Sequence, residues 1–346
     1  MEKIKKIIEG FYSVQYQAYL DMDYRDLTDY LYMYNEQNIN KVNMLNMLVA
    51  QRRYIDKNNY GYVEKEQFPL DFDYRDIILK GNYGEVTLFI NTDTNKAYPP
   101  FIHSGLNTFK IIKYKGRWKI VEHNYQGENM FEISKIRLMP RMKVSQLLFI
   151  VDFQYTRDLI VYNKTDGIQS INGTKYLYNS DRAVNYANKY VIDRNEKFYT
   201  ASGNGGDCTN FISQVIWYGF GGKDSSESIN AKYMMVPGNT YVEGWHANAW
   251  GGSRNWESVN HFWTYMTRNK GLNELGPRVN IVPNINYLYE GGIMQIDFTN
   301  DGSYNHTVVL VDKVKQKFAQ QSANTYRYYS DYVGIKRFFN PQYMIN

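Results

Sequence analysis

The chain is 346 residues long, carries a net charge of +5 at neutral pH, and contains 34 tyrosines but one cysteine. That length suits two ordinary domains, and an apolar fraction of 43% supports packed cores instead of disorder. The positive charge is spread along the chain without a basic run, which argues against a nucleic-acid partner and leaves only weak attraction to an anionic polymer or membrane surface. A lone cysteine excludes an internal disulfide, and the CxxC pairs of structural zinc are absent. The longest apolar run, residues 147–151, is far too short to span a bilayer. No signal-like segment follows Met1, so the chain as written reads as soluble, extracellular if a leader was removed and cytoplasmic otherwise.

Ile4, Ile7, Ile8, Phe11 and Tyr12 recur at offsets of three and four, which predicts an amphipathic helix. The pattern beyond it is extended, with strands at 77–79 and 86–90. A hairpin follows at 109–114 and 117–121 around Lys115-Gly116. Helix followed by antiparallel strands predicts an α+β domain over residues 1–140. His103 and His123 read there as surface or satisfied core histidines, because a metal needs further ligands at matched spacing. Residues 141–175 connect the halves, with a helix at 144–161 and turns at 163–167 and 172–173. A second domain covers 176–346, opening with Ser180 as the cap of a helix that carries Ala183, Tyr186, Ala187, Tyr190 and Val191 on one face.

The stretch that holds the chemistry is 205–214, Gly-Gly-Asp-Cys-Thr-Asn-Phe-Ile-Ser-Gln. Gly203, Gly205 and Gly206 permit a tight turn, Asp207 can cap, and Phe211, Val215 and Ile216 supply a helical stripe. Cys208 therefore falls in the first helical turn, where the backbone dipole favours a thiolate. A thiolate needs a base, and His246, His261 and His306 follow it. His261 fits a structural place on a helix with Val259, Phe262 and Met266. His306 opens the apolar run 307–311 at the mouth of a strand, which suits a base presented to a pocket. Asn324, at the end of the next strand, can fix the imidazole tautomer, with Gln321 as substitute. Asp207, Trp245, His246 and Trp256 are candidate substrate contacts; Trp250 and Trp263 crowd the same region, either as groove walls or as packing.

Two resemblances add to this reading. The order of the first half, ending in a Gly-Arg-Trp-Lys-Ile strand, resembles by pattern the nuclear-transport-factor and cystatin-like cone folds. That implies a helix on a curved antiparallel sheet, suited to docking a partner or to self-association. In the second half, the run from Tyr178 through Asp181–Ala187, the block 205–214, residues 255–262, Met294–Phe298 and His306 together resemble the amidase-domain family of papain-like proteins. These are relatives of the NlpC-type and CHAP peptidoglycan hydrolases. The resemblance covers about 176–346 and implies a papain-like α+β fold with Cys208 as nucleophile, His306 as base and then acid, and Asn324 as orienter. Gly291-Gly292 stands where that family has a glycine-aspartate pair. The implied activity is hydrolysis of an amide or peptide bond, in the stem or cross-bridge peptides of a bacterial wall, through a thioester and with no cofactor or metal. Two rivals use the same residues: a silent module that binds peptide or glycan, and an acyltransferase or deamidase acting on a protein.

Overall fold

The amino-terminal helix runs Glu2–Asp21 (α1) in the computed structural model, and the apolar stripe that predicts it is the face it buries: Ile4, Ile8, Phe11 and Tyr12. The structure describes residues 1–93, 96–125, 143–156, 175–201, 207–222, 244–247, 251–271 and 274–345. A second helix, Glu36–Lys57 (α2), follows where sequence patterning had suggested only extended chain. Its buried face mixes Leu45, Leu48 and Val49 with Asn38, Asn40, Gln51 and Arg52, so no apolar stripe marks it. Asn35 caps it through a side-chain oxygen that accepts from Gln37 N–H.

Four strands complete this half: Asp71–Lys80 (β1), Tyr83–Asn91 (β2), Gly105–Tyr114 (β3) and Arg117–Tyr125 (β4). They form an antiparallel meander in that order. The β3–β4 hairpin turns through Lys115 (φ 48°) and Gly116 (φ 79°), the two left-handed residues that match the twist of the paired strands. Inward residues Val86, Leu88, Ile90, Phe109, Ile111 and Ile120 pack beneath α1, as period-two alternation requires.

The chain separates into two compact units: residues 1–151 with 327–333, and 152–326 with 334–346. The short segment 327–333 is thus part of the first unit although it is distant in sequence. There Arg52, on α2, meets Asp331 at 2.8 Å with both side chains fully buried. The Tyr19 hydroxyl donates to the same carboxylate at 2.9 Å, and Gln51 donates to the carbonyls of Ser330 and Tyr332.

Helix α3, Val144–Thr156, runs across the division at residue 151, and the helices of the second unit are Ser180–Tyr190 (α4), Cys208–Gly219 (α5), Arg254–Glu257 (α6) and Val259–Thr267 (α7) among the described residues. The cap of α4 is Asn179, one residue before the Ser180 expected, its Oδ1 accepting from Arg182 N–H at 2.9 Å. The strands are Lys175–Leu177 (β5), Gly276–Val282 (β6), Ile293–Asp297 (β7), His306–Asp312 (β8), Lys317–Gln320 (β9), Thr325–Tyr328 (β10) and Ile335–Ile345 (β11). They lie in the order β10-β9-β8-β7-β11-β5, with β6 also on β11. The pairings of β7 with β8 and β11, and of β8 with β9, are antiparallel. Both units are therefore α+β, as expected. The turns at 163–167 and 172–173, the far end of the connecting helix, the glycines at 203, 205 and 206, and Trp250 lie outside the described residues.

Candidate active site

Helix α5 is the centre of the second unit: every residue from Cys208 to Trp217 is buried, and it packs on β8 and β9. A helix enclosed on all sides must satisfy its polar side chains internally, and those of the 207–214 motif do so. Asp207 does not cap α5 with its side chain. Its carboxylate accepts from Ala201 N–H at 2.7 Å and from Asn210 Nδ2 at 2.8 Å, and lies 3.4 Å from Arg194. Asn210 Oδ1 in turn accepts from Trp256 Nε1 at 2.8 Å and Gln214 Nε2 at 3.1 Å. Gln214 Oε1 accepts from the Tyr186 hydroxyl, and Ser213 Oγ donates to Trp256 O while accepting from Trp245 Nε1. The motif thus ties the cysteine-bearing helix to four surrounding segments.

These contacts revise three expected substrate residues. Trp245 and Trp256 are 1% and 0% exposed, with rings 5.0 Å apart and indole N–H groups bonded inward; they are core, not groove wall. Asp207 is 2% exposed and its oxygens are engaged as above. Trp245 lies outside any helix or strand and Trp256 on the single-turn α6, so neither carries a helical or strand period that would mark it as core in the sequence. His246 is half-buried, its backbone paired with Ser253. His261 is exposed on α7 with Nδ1 3.0 Å from Ser258 Oγ, while Val259, Phe262 and Met266 face inward as expected.

Cys208 is the first residue of α5 and His306 the first of β8; both are fully buried. The Thr307 backbone acts on the Cys208 sulfur to favour its thiolate, so the thiol stands beside the opening of the strand that carries His306. A chain of side chains also ends on the sulfur. Gln295 Nε2 donates to Thr307 Oγ1 at 3.1 Å, Thr307 Oγ1 lies 3.1 Å from Thr209 Oγ1, and Thr209 Oγ1 lies 3.7 Å from Sγ. Gln295 Oε1 accepts from Arg337 Nε at 2.9 Å and from its terminal nitrogen at 2.6 Å. With that oxygen occupied, Gln295 donates along the chain, and each hydroxyl can pass its donor toward the thiol.

The imidazole is held from the far side by Gln320, whose Oε1 is 3.0 Å from His306 Nε2, with the Phe298 ring stacked nearby at 6.0 Å. This corrects the expectation placed on Asn324. Asn324 sits in the β9–β10 turn with φ 45°, and its Nδ2 donates to Ile192 O at 3.0 Å. The substitute, Gln321, donates to Tyr190 O. The signal for Gln320 is present in sequence, in the alternation from Phe318, but the face it occupies depends on a register shift between Leu310 and Asp312.

Electrostatics at the sulfur also depart from expectation. Burial pushes the Cys208 thiol up from its ordinary value. The Thr307 N–H and the Thr209 hydroxyl and N–H oppose that rise, and the Asp207 carboxylate adds to it. Burial thus favours the thiol over the thiolate. Among the described residues no three of His, Cys, Asp and Glu lie close enough to hold a metal ion, and no helix is long and apolar enough to cross a membrane.

Comparison with known proteins bears on this site. Residues 177–340 match the family model described as "Putative amidase domain". The matched span takes in α4, α5 and all of β6 to β10, with most of β11. Its second half is therefore similar to an amidase-type, amide-bond-hydrolysing domain. The chain is also 28% identical over 182 residues to the uncharacterized protein YhbB of Bacillus subtilis, an alignment covering 51% of this chain and 52% of that protein. The chain thus spans about half the length of that curated relative. No solved structure matches it.

Proposed function

We propose that the second unit is a cysteine-dependent amide hydrolase with Cys208 as nucleophile, His306 as base and then acid, and Gln320 as the group that orients the imidazole. One observation carries the reading: Thr209 Oγ1 bridges the Cys208 sulfur at 3.7 Å and Thr307 Oγ1 at 3.1 Å, which brings the thiol to the residue next to His306, while Gln320 Oε1 holds the ring's Nε2. Nδ1 is then the nitrogen that exchanges a proton with the thiol. A central cysteine helix on an antiparallel sheet is the arrangement expected of a papain-like fold, which we adopt for residues 176–346.

Because burial holds the sulfur as a thiol, His306 acts as a general base at the moment of attack. Sγ bonds to the amide carbonyl carbon as its proton passes to the imidazole, and the carbonyl oxygen becomes an oxyanion facing the N–H groups at the start of α5. The C–N bond breaks as the imidazolium protonates the leaving amine, leaving a thioester. Water then attacks, giving its proton to His306; the C–S bond breaks and the proton returns to sulfur. The carboxylic acid product leaves.

The substrate class we assign is the peptide of bacterial peptidoglycan, on the likeness to NlpC-type and CHAP hydrolases and the amidase-domain match. The test is release of new primary amines from purified sacculi and soluble muropeptides by the full chain, abolished in Cys208→Ala and His306→Ala. Saturable wall binding that survives Cys208→Ala with no amine release would instead identify a binding module. Turnover only with a protein amide donor would identify a transferase or deamidase.

A further inference from the structure

The first unit holds a partly open cavity with no part in the chemistry proposed at Cys208. Phe11, Leu45, Leu48 and Phe101 make its apolar walls, and Lys41, His103, His123 and Asp331 bring polar groups to it. Its interior, about 50 Å³, is several times the ~10–15 Å³ that one water molecule occupies. The decisive group is Lys41. Its Nζ is buried without a hydrogen-bond acceptor among the described residues. The opposite charge that acts on it, Glu122, is already bonded to Lys110 at 2.7 Å. A buried ammonium without an acceptor is costly, and an anion supplied from outside removes the cost.

The other titratable groups leave the cavity positive. Asp331 is engaged by Arg52 at 2.8 Å and by the Tyr19 hydroxyl at 2.9 Å, with Arg327 also acting on it. His103 and His123 are held neutral, both pulled well below the ordinary imidazole value by burial first; Arg327 and Lys41 add to this at His103, and Lys41 and His103 at His123. His123 Nε2 is directed at Asn107 Oδ1, 2.8 Å away. Burial brings Lys41 down to about 8, which leaves it mainly cationic at neutral pH. Gln15 donates to its own helix at Phe11 O.

We propose that this cavity is a binding site for a small organic monocarboxylate, its carboxylate on Lys41 Nζ and its short alkyl body against Phe11, Leu45, Leu48 and Phe101. The small interior argues for a ligand of a few carbon atoms, and the apolar walls argue against inorganic phosphate. Butyrate is the probe, titrated calorimetrically into the full chain while imidazole resonances of His103 and His123 are followed by NMR. The expected result is saturable one-to-one binding with both imidazoles shifted. Lys41→Met should weaken it about 10- to 100-fold, the worth of a charge-assisted hydrogen bond. Leu48→Phe, which fills the space, should also block it, and butyramide should bind no better than butyrate binds to Lys41→Met. Equal binding of butyramide and butyrate, unchanged affinity in Lys41→Met, or no saturable binding to the wild-type chain would each overturn the proposal. In the last case a more stable Lys41→Met would mark the lysine as an unsatisfied structural charge.

Discussion

At Cys208 two influences oppose each other. The first turn of a helix favours an anion by about 0.3–1 kcal/mol at an exposed site, whereas complete removal from water disfavours it more strongly, and here burial is the larger. Alkylation by iodoacetamide should therefore be slow at neutral pH and rise only above the ordinary thiol range of about 8.5. Thr209→Val, which deletes the hydroxyl facing the sulfur, should move that inflection higher still; an inflection below 8 in either protein would contradict this account. A second residue-level expectation separates Gln320 from its neighbours. Gln320→Ala should lower kcat by about tenfold or more with little change in KM, and shift the acid limb of the pH–rate profile, because the imidazole loses the group that fixes its tautomer. Asn324→Ala, whose amide bonds to Ile192 O, should leave both unchanged.

Elements with a regular apolar period were legible in the sequence, and those whose faces are polar or whose register is irregular were not. Helix α1 and the β3–β4 hairpin follow from Ile and Phe spacing and from a two-residue turn. Helix α2 was hidden because Asn38, Gln51 and Arg52 stand where an apolar stripe would be read, their polarity being met by backbone carbonyls and Asp331 that only the folded chain supplies. Gln320, the side chain that meets His306, was missed for a related reason. One register shift between Leu310 and Asp312 changes which side chains of β9 share the face of His306, and a slip of one residue reverses every face. Counting along an unbroken ladder from Asp312 and Lys317 would have favoured Gln321. The tryptophans and Asp207 misled because a buried hydrogen-bonding hub and a polar binding groove draw on the same residue types. The cap of α4 offers a sharp check at this scale: Asn179→Ala should cost about 1 kcal/mol in denaturant unfolding, while Ser180→Ala, one residue on, should cost little.

At the scale of the whole molecule, stability should fall in acid through the first unit. His103 and His123 have folded values well below their unfolded value near 6.5, so the unfolded chain binds more protons between those values. The stability they contribute is complete above about pH 6.5 and is lost as pH falls toward their folded values. Denaturant midpoints measured from pH 7.5 to 4.5 should show this decline, and replacing both histidines with Phe should flatten it. The Arg52–Asp331 pair belongs to the same scale. Asp331→Asn leaves a buried guanidinium without its counter-charge and should cost about 3–5 kcal/mol, readable as a lower melting temperature of the full chain.

That pair joins residues 279 positions apart, and the feature has a consequence for biosynthesis. Residues 1–151 leave the ribosome long before 327–333. At synthesis rates of about 5–20 residues per second, the missing segment arrives on the order of ten to forty seconds later. Throughout that interval the nascent first half has Arg52, Gln51 and Tyr19 without the partners that residues 327–333 supply, and so it waits for that segment before it can close.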